Sequence, residues 1–94
     1  MTTLPSAAFE LVVVTRYLQR DFFGAIRNAV VPGGVVVYET FTIDQRLLGF
    51  GPTSPDHLLE PGELRERFQG FEILSYEEAR GTEAVARVAA RRRI

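Results

Sequence analysis

Charged, hydroxyl and aromatic side chains follow two apolar runs of the sequence, at the point where each run ends. They are Thr15, Arg16, Tyr17 and Arg20 after Leu11–Val14, and Glu39, Thr40 and Phe41 after Val35–Val37. A guanidinium can hold a carboxylate through two parallel hydrogen bonds, and a Glu carboxylate can orient or deprotonate a substrate group. Arg16, Arg20 and Glu39 could instead pair with one another as a structural ion-pair cluster, so both interpretations stay open.

These side chains would share one rim if the two runs were neighbouring parallel strands. The first strand is predicted from Phe9 to Thr15, and its continuous apolar run is typical of a strand covered on both faces. From Tyr17 to Ala29 apolar residues recur every three or four positions, which predicts a helix. Pro32-Gly33-Gly34 is expected to stop it, and Val35 to Phe41 is predicted as the second strand. This order indicates a βαβ unit with parallel strands. In open parallel sheets, ligands bind beyond the carboxyl ends of the strands.

The second half of the sequence predicts a long connection, a short helix and a hairpin. Residues 42–60 mix prolines and glycines with apolar side chains such as Phe50, Leu58 and Leu59, which could line a substrate cavity or fold the loop onto the sheet. A helix is predicted over residues 61–68, with strands over 71–77 and 83–91. The predicted fold class is α/β, a single domain over residues 1–94 with about four strands, two parallel and two in a C-terminal antiparallel hairpin, and two helices.

Composition excludes several classes of function. Eleven basic against twelve acidic residues leave a formal net charge of −1, so we expect neither nucleic acid nor an acidic membrane as a partner. The absence of Cys excludes disulfides and Cys-based zinc sites, and the absence of Lys excludes Schiff-base chemistry. The lone His57 gives no reason to expect a metal site. No signal peptide or bilayer-length apolar run is visible, so a cytoplasmic protein is expected.

The order of the segments resembles that of a known enzyme family. FELVVVTRYLQRDFFGAIRNAVVPGGVVVYETF, a proline-rich loop, LLEPGELRERF and a closing hairpin together resemble the C-terminal half of a class I S-adenosylmethionine-dependent methyltransferase, of the small bacterial tellurite-resistance-type subgroup. The resemblance covers nearly the whole chain. It implies a partial Rossmann-like methyltransferase sheet, in which Phe9–Thr15 matches the family's fourth strand, Val35–Phe41 its fifth, and the hairpin its sixth and seventh.

The same resemblance implies roles for the rim. Near the methionine end of S-adenosylmethionine would lie Thr15 and Arg16, and facing the methyl acceptor would lie Tyr17, Arg20, Glu39, Thr40 and Phe41. No residue is identified as catalytic, since the family often has His where Gln19 stands. The family's Gly-rich loop after its first strand and acidic residue after its second, which hold the cofactor, have no counterpart in these 94 residues. We therefore expect a methyltransferase-like protein that neither binds the cofactor nor is catalytic alone.

The first strand also leads to a prediction about partners. In the family's strand order it lies between strands one and five, so here it would form an apolar sheet edge, which is a template for pairing. We expect a two-fold homodimer in which Phe9–Thr15 pairs antiparallel with its own copy, joining two four-stranded sheets into one of eight. Two alternatives stay open: an active methyltransferase completed by an N-terminal segment or another chain, and a non-enzymatic module for a small anion or a partner.

Overall fold

The computed structural model describes residues 4–94, which form a mixed four-stranded sheet with helices on one face. The strands are β1 (Phe9–Thr15), β2 (Val30–Phe41), β3 (Glu72–Arg80) and β4 (Ala84–Arg91), in the order β1-β2-β4-β3. β1 and β2 are parallel, whereas β4 is antiparallel to both β2 and β3. The predicted fold class, with its βαβ unit and C-terminal hairpin, is therefore confirmed.

Within residues 4–94, two short α-helices and three 3-10 turns connect the strands. α1 (Phe23–Ala29) follows the 3-10 turn Arg20–Phe22, and α2 (Glu63–Arg67) follows Gly62. The other 3-10 turns, Ile43–Leu48 and Pro55–His57, lie in the connection between β2 and α2. None of the helices in this part of the chain has the length and apolar character needed to cross a membrane.

The crossover helix starts later than the sequence predicts. The periodic spacing suggested a helix from Tyr17, but residues 17–19 are irregular and Arg20–Phe22 is a 3-10 turn. The Tyr17 carbonyl accepts a hydrogen bond from the Tyr38 hydroxyl on β2, which holds this backbone outside the helix. Leu18 is nevertheless buried. Its apolar character therefore reflects packing against the core and not a helical turn.

β2 starts earlier than predicted, at Val30 instead of Val35, so Pro32-Gly33-Gly34 lies inside a strand and does not stop the helix. Val30 is β-branched and has extended backbone angles, φ −84° and ψ 134°, and it pairs with Phe9 on β1. Pairing with β1 thus ends the helix before the proline is reached. Gly33 takes the left-handed angle φ 86° that this irregular stretch requires.

The core lies on the helical face of the sheet and contains an aromatic cluster. Phe23 of α1 stacks on Tyr38 of β2, with ring centroids 5.1 Å apart. Phe68, which ends α2, meets Phe23 edge-on at 5.9 Å and lies 5.7 Å from Phe71. These rings join both helices to the sheet, and aromatic pairs of this geometry contribute about 0.5–1.5 kcal/mol each beyond their buried area.

The long connection is packed onto the sheet. Leu58 and Leu59 are fully buried, and Leu59 forms an isolated bridge with Thr42 just after β2. Gln45 is buried too, donating from its amide to the Phe50 carbonyl at 2.9 Å and accepting from the Ala84 N–H at 2.8 Å. Of the two sequence interpretations for this segment, the structure supports a loop folded onto the sheet, with Phe50 exposed at its surface.

The opposite face of the sheet is uncovered in the described part of the chain, and on β1 it is apolar. On β1, Leu11 and Val13 are 57% and 58% exposed. Their register partners on β2, Val35 and Val37, are half-buried. β1 is therefore apolar on both faces, as its continuous run predicts, but only the helical face is packed.

Candidate functional site

The carboxyl ends of β1 and β2 lie side by side, as the predicted rim requires. Thr15 is in register with Glu39, and the N–H of Arg16 donates to the Glu39 carbonyl at 2.9 Å. Arg16 has a left-handed backbone, φ 54°, a conformation that costs a non-glycine residue about 1–2 kcal/mol. This residue turns the chain away from the sheet immediately after β1, so the polar residues that follow lie above the strand ends.

Arg16 is bound to the C-terminal hairpin. Its two terminal nitrogens donate to the two carboxylate oxygens of Glu83 at 2.7 and 2.9 Å, and its guanidinium lies 5.1 Å from the centroid of the Phe41 ring. Hydrogen bonding to Glu83 raises the pKa of Arg16, and the same contact lowers the pKa of Glu83. A carboxylate ligand would have to displace Glu83 before it could reach this guanidinium.

Arg20 ties the rim to the long loop and to α2. It donates to both carboxylate oxygens of Glu63, at 2.7 and 3.0 Å, and to the carbonyls of Pro55 and Leu58, at 3.2 and 2.8 Å. Nε, Nη1 and Nη2 are all engaged, and the guanidinium joins three separate segments of the chain. In this arrangement Arg20 joins the rim to the long loop and to α2, and its carboxylate partner is Glu63.

Glu63 is the acceptor at the centre of this network. Its side chain is 12% exposed and also accepts from the Glu60 N–H at 3.0 Å and from Arg67 at 3.0 and 3.2 Å. Burial alone would raise the pKa of Glu63, but the hydrogen bonds from Arg20, the Glu60 N–H and Arg67 outweigh it and lower the pKa to about 2. The carboxylate is therefore charged at neutral pH and fully used within the domain.

The acidic and hydroxyl residues at the end of β2 are also committed to the fold. Glu39 forms an ion pair with Arg87, its register partner on β4, and Arg87 also pairs with Glu77 on β3. Thr40 points to the core and is only 2% exposed. A ligand at the rim would not meet the Thr40 hydroxyl. The three rim charges thus enter three separate ion pairs, and not the single cluster that the sequence suggested.

Tyr17 is an exposed aromatic residue of the rim. It is 43% exposed, its hydroxyl donates to the Gln19 side chain, and its ring meets Phe22 edge-on at 6.2 Å. An exposed phenol supported in this way can stack on a ligand and exchange a hydrogen bond with it. It is held in place by its backbone carbonyl, which accepts from the buried Tyr38.

A cleft of about 1090 Å³ lies away from the strand ends, between α1, α2 and the long loop. It shares only Arg20 with the predicted rim residues. The other arginines in its wall, Arg27 and Arg67, are occupied by backbone carbonyls and by Glu63 respectively. Within residues 4–94, no group of three or more His, Asp and Glu side chains is placed to hold a metal ion.

Sequence reasoning placed the rim but missed the residues that neutralise it, which are Glu83, Glu63 and Arg87. Glu83 is 67 positions from Arg16, and Glu63 is 43 positions from Arg20, so no local pattern links them. The pairing of Glu39 with Arg87 follows from the strand register, since β4 lies next to β2. Knowing that order, a search for opposite charges in register would have found this pair.

Comparison with solved structures assigns the fold. The match to the cyclase SpnF covers 100% of this chain and 53% of SpnF, with a TM-score of 0.73 and 14% sequence identity. The match to TehB from Haemophilus influenzae covers 95% of this chain and 37% of TehB, with a TM-score of 0.73 and 18% sequence identity. The match to an S-adenosylmethionine-dependent methyltransferase from Mesorhizobium loti covers 98% of this chain and 65% of that protein, with a TM-score of 0.72 and 20% sequence identity. The chain has a partial class I methyltransferase fold.

The chain spans from 37% to 65% of the length of these three structures. No protein-family model matches the sequence, and no curated protein does. The predicted methyltransferase-type fold is thus confirmed, whereas the correspondence to a C-terminal half and the roles of the rim residues stay predictions. That a cyclase shares the fold illustrates that one fold supports different reactions.

Proposed function

We propose that these 94 residues form a methyltransferase-like domain that neither binds S-adenosylmethionine nor transfers a methyl group on its own. The fold is shared with an S-adenosylmethionine-dependent methyltransferase, which supports the cofactor class. The observation that carries the proposal is the commitment of the rim charges: Arg16 to Glu83, Arg20 to Glu63, and Glu39 to Arg87. A rim with its charges paired internally offers no charged anchor for the cofactor's carboxylate and ammonium groups.

The backbone around the rim supports the same conclusion. A phosphate- or cofactor-binding turn in α/β folds places glycines between a strand and the helix that follows it, so that the ligand can approach the backbone closely. Here the connection from β1 to α1 contains no glycine before Gly24, and Gly33 and Gly34 lie within β2. The residues present do not form a site that fits the cofactor, and we therefore propose no cofactor-binding role for Thr15 and Arg16.

We further propose that the domain corresponds to the C-terminal half of the methyltransferase fold. An active enzyme, the alternative interpretation, would need a Gly-rich strand-to-helix unit supplied by further sequence or by another chain. One observation favours this active-enzyme alternative: β1 is apolar on both faces and has a free edge and an uncovered face, where a further unit could pack. A small-anion-binding module gains no support, since Arg16 and Arg20 already hold carboxylates.

Isothermal titration calorimetry with S-adenosylmethionine tests the proposal. The Mesorhizobium loti methyltransferase serves as the positive control, and the expected result for this chain is no saturable heat up to about 1 mM ligand, the range of very weak binding. Two variants separate the causes: Glu83→Gln leaves Arg16 with a neutral partner, whereas Glu66→Gln removes an exposed charge elsewhere. Saturable one-to-one binding by the wild-type chain would overturn the proposal, and binding by Glu83→Gln alone would assign the block to Glu83.

A further inference from the structure

The two edges of the sheet differ in how they are protected. β3 carries charges along its length and has a register irregularity between Ile73 and Ser75, which are both devices that prevent edge-to-edge association. Its charged residues are Glu72, Glu77, Glu78 and Arg80. β1 carries one charge, Glu10, and exposes Leu11 and Val13. β3 is therefore built as a terminal edge, and β1 is built as an edge that can be continued.

The hydrogen-bonding groups on the free edge of β1 can be identified from its contacts with β2. The N–H groups of Ala8 and Arg16, at the two ends of the strand, each donate toward the β2 side at 2.9 Å. Successive peptide groups alternate in direction along a strand. The backbone N–H and C=O groups of the even-numbered residues of β1 therefore point toward β2. Those of the odd-numbered residues, Phe9, Leu11, Val13 and Thr15, point outward from the free edge.

The register irregularity between β1 and β2 does not interrupt this alternation. Phe9 pairs with Val30 and Leu11 with Val35, so the extra residues lie in β2, and β1 runs on regularly. The outward groups are thus evenly spaced, as a partner strand requires. A strand that adds here gains a complete ladder over the length of β1.

We propose that a second copy of this chain adds to β1 antiparallel, about a two-fold axis at Val12. This register places Phe9 opposite the partner's Thr15 and Leu11 opposite the partner's Val13, so that all four outward residues are paired. Shifting the axis to Leu11 or to Val13 leaves one outward residue of each copy without a strand partner. Glu10 falls opposite the partner's Val14, so no like charges face each other.

The burial of side chains within the sheet supports a second copy as the occupant. Val35 and Val37 lie in the same rows as Leu11 and Val13 but have strand neighbours on both sides, and they are half-buried, whereas Leu11 and Val13 are more than half exposed. Pairing would give Leu11 and Val13 the missing neighbour. Because β1 presents matching apolar residues to its own copy in the register that uses every outward group, the strand is self-complementary.

A single-cysteine crosslink tests the axis directly, since the chain has no Cys of its own. At the axis Val12 faces the partner's Val12 in a non-hydrogen-bonded pair, with Cα atoms about 4.5 Å apart, within disulfide range. Val14 and the partner's Val14 would be about 14 Å apart. Val12→Cys should form a disulfide-linked dimer under mild oxidation. Val14→Cys, which is similarly half-buried on the same face, should form the same non-covalent dimer without a disulfide link.

Sedimentation measurements at micromolar concentration complete the test. The wild type and Leu74→Lys, a matched change on the opposite edge, should have the mass of a dimer, whereas Val13→Lys should dimerise at least about tenfold more weakly. Circular dichroism checks that Val13→Lys folds, and the crosslink reports the interface if it does not. A monomeric wild type, equal crosslinking at residues 12 and 14, or equal weakening by both lysines would overturn the proposal. The interface involves no cofactor, so neither proposal depends on the other.

Discussion

Glu63 should set the acid sensitivity of the fold. Its carboxylate joins the segment after β1, the long loop and α2 through Arg20, Arg67 and the Glu60 N–H. Glu63→Gln keeps the shape of the side chain but removes the charge and one acceptor oxygen. Arg20 and Arg67 then keep a single neutral partner at this point. We expect the variant to fold and to lose stability at neutral pH.

The magnitude follows from the pKa. The pKa of Glu63 is about 2 in the folded chain against an ordinary value of 4.5, because the hydrogen bonds from Arg20, the Glu60 N–H and Arg67 outweigh the effect of burial. At about 1.36 kcal/mol for each pH unit, this difference corresponds to about 3.4 kcal/mol at pH 7. Arg20 and Arg67 are about one third exposed, so screening by solvent reduces the expected loss to about 2–3 kcal/mol.

The sign of the pH dependence follows from a lowered pKa. The contribution of Glu63 is complete above about pH 4.5 and disappears as the pH falls through about 2. At pH 3 the difference between wild type and Glu63→Gln should therefore shrink to about 1 kcal/mol. Urea unfolding followed by circular dichroism at pH 7 and pH 3 measures both values, and subtracting the two curves removes the effect of other carboxylates.

A matched control lies on the same helix. Glu66 is exposed and makes no side-chain hydrogen bond or ion pair within residues 4–94, so Glu66→Gln should change the free energy of unfolding by less than about 0.5 kcal/mol. The reasoning about Glu63 is refuted if Glu63→Gln is as stable as Glu66→Gln at pH 7. It is also refuted if the loss is the same at pH 3 as at pH 7.

Three further substitutions test the packing that positions the rim. Gly34→Ala would place a Cβ 2.9 Å from the Glu10 carbonyl oxygen, so urea unfolding should show a loss of about 2 kcal/mol or more, whereas Gly24→Ala, with open space in α1, should stabilise by up to about 1 kcal/mol. Equal effects at the two glycines would contradict the β1–β2 geometry. Gln45→Ala leaves two backbone groups without their buried partner and should cost about 2–3 kcal/mol, with faster proteolysis of the long loop. Unchanged stability and proteolysis would show that the loop is not anchored there.

Most of the fold could be predicted because local patterns and global structure agree. The continuous apolar run of β1 predicts a strand with its bounds, Phe9–Thr15. The hairpin of β3 and β4 is predicted from the turn between its strands, although β3 continues to Arg80, beyond its predicted end at Glu77. The error before α1 arose because Leu18 has helical spacing but is buried from an irregular segment. The error at Val30 arose because pairing with β1 outweighs the local tendency of Pro32 and the glycines to form a turn.

The site could be predicted only in part. Thr15, Arg16 and Glu39 are brought together at the strand ends because parallel pairing requires it. The sequence does not show which of these charges remain free to bind a ligand, because their ion-pair partners lie far along the chain. Glu63 reaches Arg20 only because α2 packs beside α1, and that packing has no signature in the sequence around either residue.

Residue-resolved NMR tests the central claim most directly, because it reports on the rim itself. Amide spectra of the chain titrated with S-adenosylmethionine should show no saturable shift at residues 15–17 and 39–41 up to about 1 mM ligand, since Arg16 and Glu39 are held by Glu83 and Arg87. Saturable shifts confined to these residues would show that the rim binds the cofactor without any further unit and would contradict the proposed function.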